Sequence, residues 1–119
     1  MIPALPIFVY GSLRKGMTQH ALLGGAQFLG SAITKSEFTL FDAGLWPAAV
    51  QNGNTAIFGE LYEVKPKKVS EIDSYERHPE FFRRHKIMLA DEINAWMWIY
   101  ISDVDPTWIS IEDGCWRQH

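Results

Sequence analysis

Only one stretch of this 119-residue chain has the periodicity of a helix, and that scarcity constrains the fold more than any other feature. Pro66 suits a first helical position, because its missing N–H needs no partner there. Val69 and Ile72 then recur at helical spacing. We therefore predict a helix over residues 66–76 that ends before Pro79. A single short helix cannot enclose a core, so strands must form most of the domain.

The remaining ordered segments have strand character. Apolar runs bounded by small or polar residues predict about seven strands. These lie at residues 5–10, 27–34, 37–42, 47–51, 56–64, 81–90 and 95–102. Residues 17–23 leave room for about two helical turns, which Gly24 and Gly25 would end. The Asn52-Gly53-Asn54 segment is the strongest hairpin signal, because Asn-Gly accepts positive φ at little cost, and a meander of strands follows.

These elements predict an α+β fold in a single domain over residues 1–119. Strands so placed bend into a mixed, barrel-like sheet more easily than into parallel βαβ units. Trp96, Trp98 and Tyr100 share one face of their strand at period two. The tail carries four large apolar residues and should pack against the body, because exposing them would be costly. They are Trp108, Ile109, Ile111 and Trp116.

Composition narrows the class of protein. A 47% hydrophobic content can bury a core, and no stretch is apolar and long enough to cross a membrane. The net charge of -3 gives no overall attraction for nucleic acid, and the basic run at residues 83–86 is better explained as a solvated edge strand. Cys115 is the only cysteine and predicts neither a disulfide nor a zinc site. The first residues lack a secretion signal, so we expect a cytoplasmic protein.

Glu76 is the first candidate for chemistry. On the predicted helix it falls on the same stripe as Val69 and Ile72, which puts a carboxylate on the buried face. An unpartnered buried carboxylate raises its pKa, and a raised pKa lets one group take up and return a proton near neutral pH. The alternative is a side chain at a frayed helix end that turns outward or pairs with Arg83. The pattern alone leaves the two open.

The turn Tyr10-Gly11-Ser12-Leu13-Arg14 is the second candidate. Gly11 permits close approach of the backbone to a ligand, and consecutive free amides can bind a carboxylate or an oxyanion. The alternative is an ordinary turn that ends a strand. Ser12 has little support as a nucleophile, because no Gly-x-Ser-x-Gly elbow is present.

Two further groups of residues are possible sites. Trp46 and Pro47 could line a pocket, although packing in the core or a turn explains them as well. Glu76, His78 and Glu80 alternate along the chain, but a bend at Pro79 separates them, and we predict no metal site. The other histidines, His20, His85 and His119, are scattered.

Taken together, the motifs resemble those of the gamma-glutamylcyclotransferase-like proteins, in the branch of gamma-glutamylamine cyclotransferases and AIG2-like proteins. The matching segments occur in the family's order and cover most of the chain. They are Phe8-Val9-Tyr10-Gly11-Ser12-Leu13-Arg14, Trp46-Pro47-Ala48-Ala49-Val50, Gly59-Glu60-Leu61-Tyr62 and Ile72-Asp73-Ser74-Tyr75-Glu76.

The resemblance implies a compact mixed β-barrel with short flanking helices, no cofactor and a small gamma-glutamyl amide as substrate. It implies Glu76 as general base and acid. It also implies a substrate-holding loop of Tyr10, Gly11, Ser12 and Leu13, beside which we place Pro47. The implied reaction releases 5-oxoproline and a free amine; the alternative is a binding or regulatory module that keeps the pocket without turnover. Where relatives often carry a tyrosine followed by arginine, this chain has Phe81-Phe82-Arg83-Arg84, which leaves the substrate open.

Overall fold

The helix lies where its periodicity predicts it. The computed structural model describes residues 3–78 and 80–117. In it α1 (Pro66–Tyr75) begins at the proline, and Glu76 caps its end. Val69 and Ile72 are fully buried. The helix ends before Pro79, as predicted, although Pro79 itself lies outside the described residues, and the predicted helical stripe is confirmed.

The described part of the chain contains eight strands. Their bounds are β1 (Leu5–Val9), β2 (Gln27–Ile33), β3 (Phe38–Asp42), β4 (Pro47–Gln51), β5 (Phe58–Val64), β6 (Phe82–Met88), β7 (Asn94–Tyr100) and β8 (Ile109–Ser110). Seven of them match predicted strands, and the short β8 lies in the tail. Of the two helical turns expected over 17–23, only a 3₁₀ helix at His20–Leu23 forms, and the left-handed Gly24 ends it.

The strands form two sheets. The larger sheet has the order β2-β5-β1-β7-β6, and the smaller has the order β4-β3-β8. β1 runs antiparallel to β5 and parallel to β7, with Ile7 opposite Trp96. The predicted mixed α+β architecture is therefore confirmed, and the basic run of β6 does lie at a sheet edge.

The barrel prediction is wrong, because neither sheet closes. β3 and β4 leave the larger sheet and pair with each other, so five strands remain to surround the core. The edge strands β2 and β6 approach each other only at an isolated bridge between Thr34 and Leu89.

The predicted hairpin at Asn52-Gly53-Asn54 is also wrong. Asn52 has the positive φ (71°) that a turn requires. However, β4 pairs with β3, whereas β5 pairs with β1 and β2. The Gly53 N–H instead donates to the Glu37 carbonyl, 3.1 Å away, so the segment folds back along the start of β3 and ends the predicted meander.

Both faces of β7 are buried, and one of them packs beside the helix. Trp98 and Tyr100 pack with α1 residues in one core cluster, while Met97 and Ile99 belong to a second. In the tail, Trp116 is fully buried as expected, but the Ile109 side chain is exposed. None of the described helices has the length and apolar character needed to span a bilayer.

Candidate active site

A cavity of about 440 Å³ opens between the end of α1, the turn after β1 and the start of β4. All six residues predicted for the site line it: Tyr10, Gly11, Ser12, Leu13, Pro47 and Glu76. These residues come from three separate segments of the chain. The fold therefore brings the predicted acid and the predicted loop to one cavity.

The turn after β1 is fixed from behind by a buried arginine. Arg14 Nε donates to the Gly11 carbonyl at 3.1 Å, and Arg14 Nη2 donates to the Trp116 carbonyl. On the cavity side, a Cβ atom added to Gly11 would lie 2.8 Å from Pro47 Cδ and Cγ. Glycine is thus required here for the close approach of Pro47, which holds the turn against β4.

Three amides of this turn, those of Gly11, Ser12 and Leu13, have no backbone partner in the described part of the chain. The carbonyls of Gly11 and Ser12 accept from Arg14 and Gln19, but no carbonyl in the described ranges accepts from the N–H groups of Gly11, Ser12 or Leu13. Ser12 and Leu13 are nevertheless buried. Unpaired amides beside a cavity offer hydrogen bonds to an anion or to a developing oxyanion.

Tyr10 contributes its ring to the wall and its hydroxyl to the fold. The hydroxyl donates to the Trp98 carbonyl at 2.7 Å and accepts from the Ala49 amide at 3.3 Å. Burial and, to a smaller extent, the negative charge of Glu76 raise the pKa of Tyr10, so its phenol stays protonated. The Tyr10 hydroxyl therefore links β1, β4 and β7 beneath the cavity.

The carboxylate of Glu76 lies in the cavity wall without a protein partner. The residue as a whole is half-buried, but its carboxyl group is removed from water. This desolvation raises the pKa of Glu76 to about 7. Within residues 3–78 and 80–117 no side chain forms an ion pair or hydrogen bond with it, and Arg83 does not pair with it. The sequence leaves two alternatives open, a buried carboxylate or a side chain that turns outward or pairs with Arg83. The structure has the buried carboxylate.

The carboxylate of Asp73, one helical turn before Glu76, differs in that both of its oxygens have protein partners. Its Oδ1 accepts from Trp98 Nε1 at 2.8 Å, and its Oδ2 lies 3.6 Å from Arg84 Nη2. These contacts tie the helix end to β7 and β6. Asp73 thus positions the last turn of α1, from which Glu76 projects.

Glu80 does not reach the cavity. Its exposed carboxylate lies 3.8 Å from Arg77, and it is absent from the cavity wall.

His78 Nδ1 accepts from the Arg84 amide at 3.2 Å. The described residues contain no group of three or more side chains able to hold a metal ion, and His119 lies outside them.

Several residues of the wall were not predicted. Tyr75 and Arg77 flank Glu76 on the cavity wall, and the Tyr75 hydroxyl lies 3.0 Å from Ser12 Oγ. Proximity to Glu76 in the sequence was the only available signal for them. The other unpredicted wall residues are mostly aromatic and come from distant strands, a grouping that no local pattern reveals. They include Phe81, Phe82, Trp98, Tyr100 and Trp108.

The family model described as gamma-glutamyl cyclotransferase, AIG2-like, matches residues 7–118. A Methanocaldococcus jannaschii protein, provisionally named a gamma-glutamylcyclotransferase, is 34% identical over 119 residues, covering 95% of this chain and 96% of that protein. The gamma-glutamylcyclotransferase family protein YtfP of Escherichia coli is 33% identical over 110 residues, covering 92% and 94%.

Solved structures have the same fold. An AIG2-like protein from Mus musculus superposes with a TM-score of 0.84 at 20% identity, over 98% of this chain and 90% of that chain. An uncharacterized Pyrococcus horikoshii protein gives a TM-score of 0.77 at 28% identity, over 94% and 89%.

Proposed function

Because the chain belongs to the gamma-glutamyl cyclotransferase, AIG2-like family, we propose that it releases 5-oxoproline and a free amine from a small gamma-glutamyl amide. Glu76 is the proton carrier in this reaction. One observation carries the proposal: the unpartnered carboxylate of Glu76, whose pKa burial raises to about 7, lies in the same cavity as the free amides of the turn.

The substrate supplies its own nucleophile. Its α-ammonium group gives one proton to Glu76, and the freed amine attacks the γ-carbonyl carbon to form the C–N bond of a five-membered lactam. The original amide C–N bond then breaks as the departing nitrogen takes this proton from Glu76. Glu76 next takes the second proton that the new lactam nitrogen must lose and passes it to the released amine, which leaves as an ammonium ion. Atoms balance without water. Holding the two ends of the substrate together is the main task of the cavity, since good alignment in such ring closures is worth roughly 10⁵–10⁸ M of effective concentration.

The raised pKa of Glu76 suits both proton transfers. The substrate's α-ammonium group titrates above neutral pH, so proton transfer to a carboxylate is uphill, and a pKa of about 7 for Glu76 lessens the cost. An ordinary glutamate, with a pKa of about 4.3, would raise this cost by roughly 4 kcal/mol. At neutral pH an appreciable fraction of Glu76 is still ionised and able to act as the base.

The turn supplies the complementary charge stabilisation. The amides of Gly11, Ser12 and Leu13 would hold the substrate's α-carboxylate or the oxyanion of the tetrahedral intermediate. Because Arg14 and Pro47 fix the turn, these donors need no rearrangement when charge develops. The apolar walls keep water from the carboxylate and strengthen each of these interactions.

The test is release of 5-oxoproline over a panel of gamma-glutamyl amino acids and gamma-glutamyl amines. Glu76→Gln preserves the shape of the side chain but cannot carry the proton, so we expect a loss of about 100-fold to 10⁴-fold. Glu80→Gln is the matched control, since this nearby carboxylate lies outside the cavity and most activity should remain.

Two results would contradict the proposal. Turnover by a folded Glu76→Gln variant at the native rate would remove Glu76 from the chemistry. Absence of release from every substrate by the native protein would indicate a binding module instead of an enzyme.

A further inference from the structure

Arg77 has a backbone conformation that ordinarily favours glycine. It directly follows Glu76, the residue that caps α1, and its φ of 55° lies in the left-handed region. Glycine is the usual residue at this position after a helix, because any side chain makes the conformation unfavourable. A strained residue on the wall of a candidate active site suggests that its side chain is needed there.

The guanidinium of Arg77 lies over an aromatic ring of the cavity wall. Its Cζ atom lies 4.5 Å from the centre of the Phe81 ring. Among the described residues that line the cavity, Arg77 is the only one with a positive charge. Its ion pair with Glu80 is long (3.8 Å), and both side chains are more than 60% exposed (64% and 68%), so the pair is weak and easily exchanged for another carboxylate.

Glu76 and Arg77 differ in exposure to solvent, and this difference suggests that they contact different parts of a substrate. Gly11, Ser12, Leu13 and Glu76 line the cavity, and the Glu76 carboxyl group is removed from water. Arg77 lines the same cavity, but its side chain is 64% exposed. Desolvation alone accounts for the raised pKa of Glu76, and no opposing effect of the Arg77 guanidinium is present, so Arg77 does not pair with Glu76 and can contact another part of the substrate.

We infer that Arg77 binds a carboxylate on the leaving group, and so selects gamma-glutamyl amino acids over gamma-glutamyl amines that lack this carboxylate. The inference rests on the proposed function and names its substrate class. Arginine suits the role, because its fork of N–H donors matches the two oxygens of a carboxylate. Phe81 holds the guanidinium plane beside the path of the leaving group.

Gamma-glutamyl-alanine and gamma-glutamyl-ethylamine provide a matched pair, since they differ only by the leaving group's carboxylate. We expect the native protein to prefer the alanine compound by roughly 10-fold or more in kcat/KM. Arg77→Gln should reduce the preference to about one, and Arg77→Lys should restore part of it. Arg77→Gly should also lose the preference while raising the melting temperature, because it relieves the strained φ. A merely structural role would lower the melting temperature instead.

Three results would overturn the inference. The native protein could show no preference, the preference could survive in Arg77→Gln, or Arg77→Gln could weaken both substrates equally. The last result would assign Arg77 to the glutamyl part.

Calorimetric titration of both compounds into the native protein and Arg77→Gln separates this inference from the proposed function. If neither compound is turned over, the proposed function fails, but tighter binding of gamma-glutamyl-alanine that depends on Arg77 would still support the inference. Equal binding of the two compounds, or binding of neither, would overturn it.

Discussion

The turn after β1 and the end of α1 face each other across one cavity, yet they are held in opposite ways. In the turn, Arg14 and the Tyr10 hydroxyl satisfy backbone carbonyls, and Pro47 packs on Gly11. At the helix end, the carboxylate of Glu76 has no partner among the described residues and Arg77 has a strained φ. The satisfied carbonyls and the packing of the turn thus stabilise the fold, whereas the unpartnered carboxylate and the strained φ at the helix end cost stability.

This difference indicates which side of the cavity is the reactive one. Features that lower stability persist where function requires them. If the comparison is right, substitutions at the helix end should stabilise the protein, and substitutions in the turn should destabilise it.

The largest expected effect is a gain in stability for Glu76→Gln at alkaline pH. The pKa of Glu76 in the folded protein is raised to about 7, so the folded state holds this proton more tightly than the unfolded state does. The native protein therefore loses stability as pH rises from about 4.5 to 7, by up to about 3 kcal/mol. The variant should be more stable than the native protein by that amount at pH 8, and about equal at pH 4. Urea unfolding at both pH values measures the difference.

Glu71→Gln is the control on the same helix. Its carboxylate is exposed, and the contact with Lys68 lowers its pKa, so this variant should gain no stability at pH 8. A Glu76→Gln variant whose stability follows the native curve at every pH would show that the carboxylate is solvated.

On the turn side, Tyr10→Phe should destabilise the protein by about 2 kcal/mol. The substitution leaves the Ala49 amide and the Trp98 carbonyl without this buried partner. Thermal unfolding measures the loss. Tyr62→Phe provides a comparison, because the Tyr62 hydroxyl contacts only the partly buried Glu60 carboxylate and should matter less. Equal effects of the two substitutions would contradict the anchoring role of Tyr10.

The smallest effect is expected for the contact that joins the two sides. Tyr75→Phe removes the hydrogen bond between the Tyr75 hydroxyl and Ser12 Oγ, but the Tyr75 side chain is 41% exposed and water can replace its partner. We expect a loss of no more than about 1 kcal/mol in denaturant unfolding. A larger loss would mean that the helix end depends on the turn, and that the two sides are not independent.

The sequence predicts local structure and the position of the Glu76 carboxylate well, because both follow from periodicity. The spacing of Val69, Ile72 and Glu76 places the carboxylate on the buried stripe, and the cavity wall contains it. Seven strand positions follow from apolar runs in the same way. The residues alone leave the turn and Pro47 open as sites and the family resemblance favours them, and they lie on the same wall.

Pairing between distant strands is what the sequence does not predict. The parallel contact of Ile7 with Trp96 joins segments far apart in the chain, and the removal of β3 and β4 into a second sheet prevents barrel closure. The Asn52-Gly53 pattern correctly predicts a positive φ but not the strand that follows it. Arg77 shows no local signal, because its significance depends on a backbone conformation that ordinary helix ends assign to glycine.

The pH dependence of kcat/KM for 5-oxoproline release tests the central claim most directly. If the buried Glu76 is the base, the rising limb of the profile has an apparent pKa near 7, which reports the free enzyme. A rising limb at the ordinary glutamate value of about 4.3 would contradict the account, because the base would then be a solvated carboxylate outside the cavity.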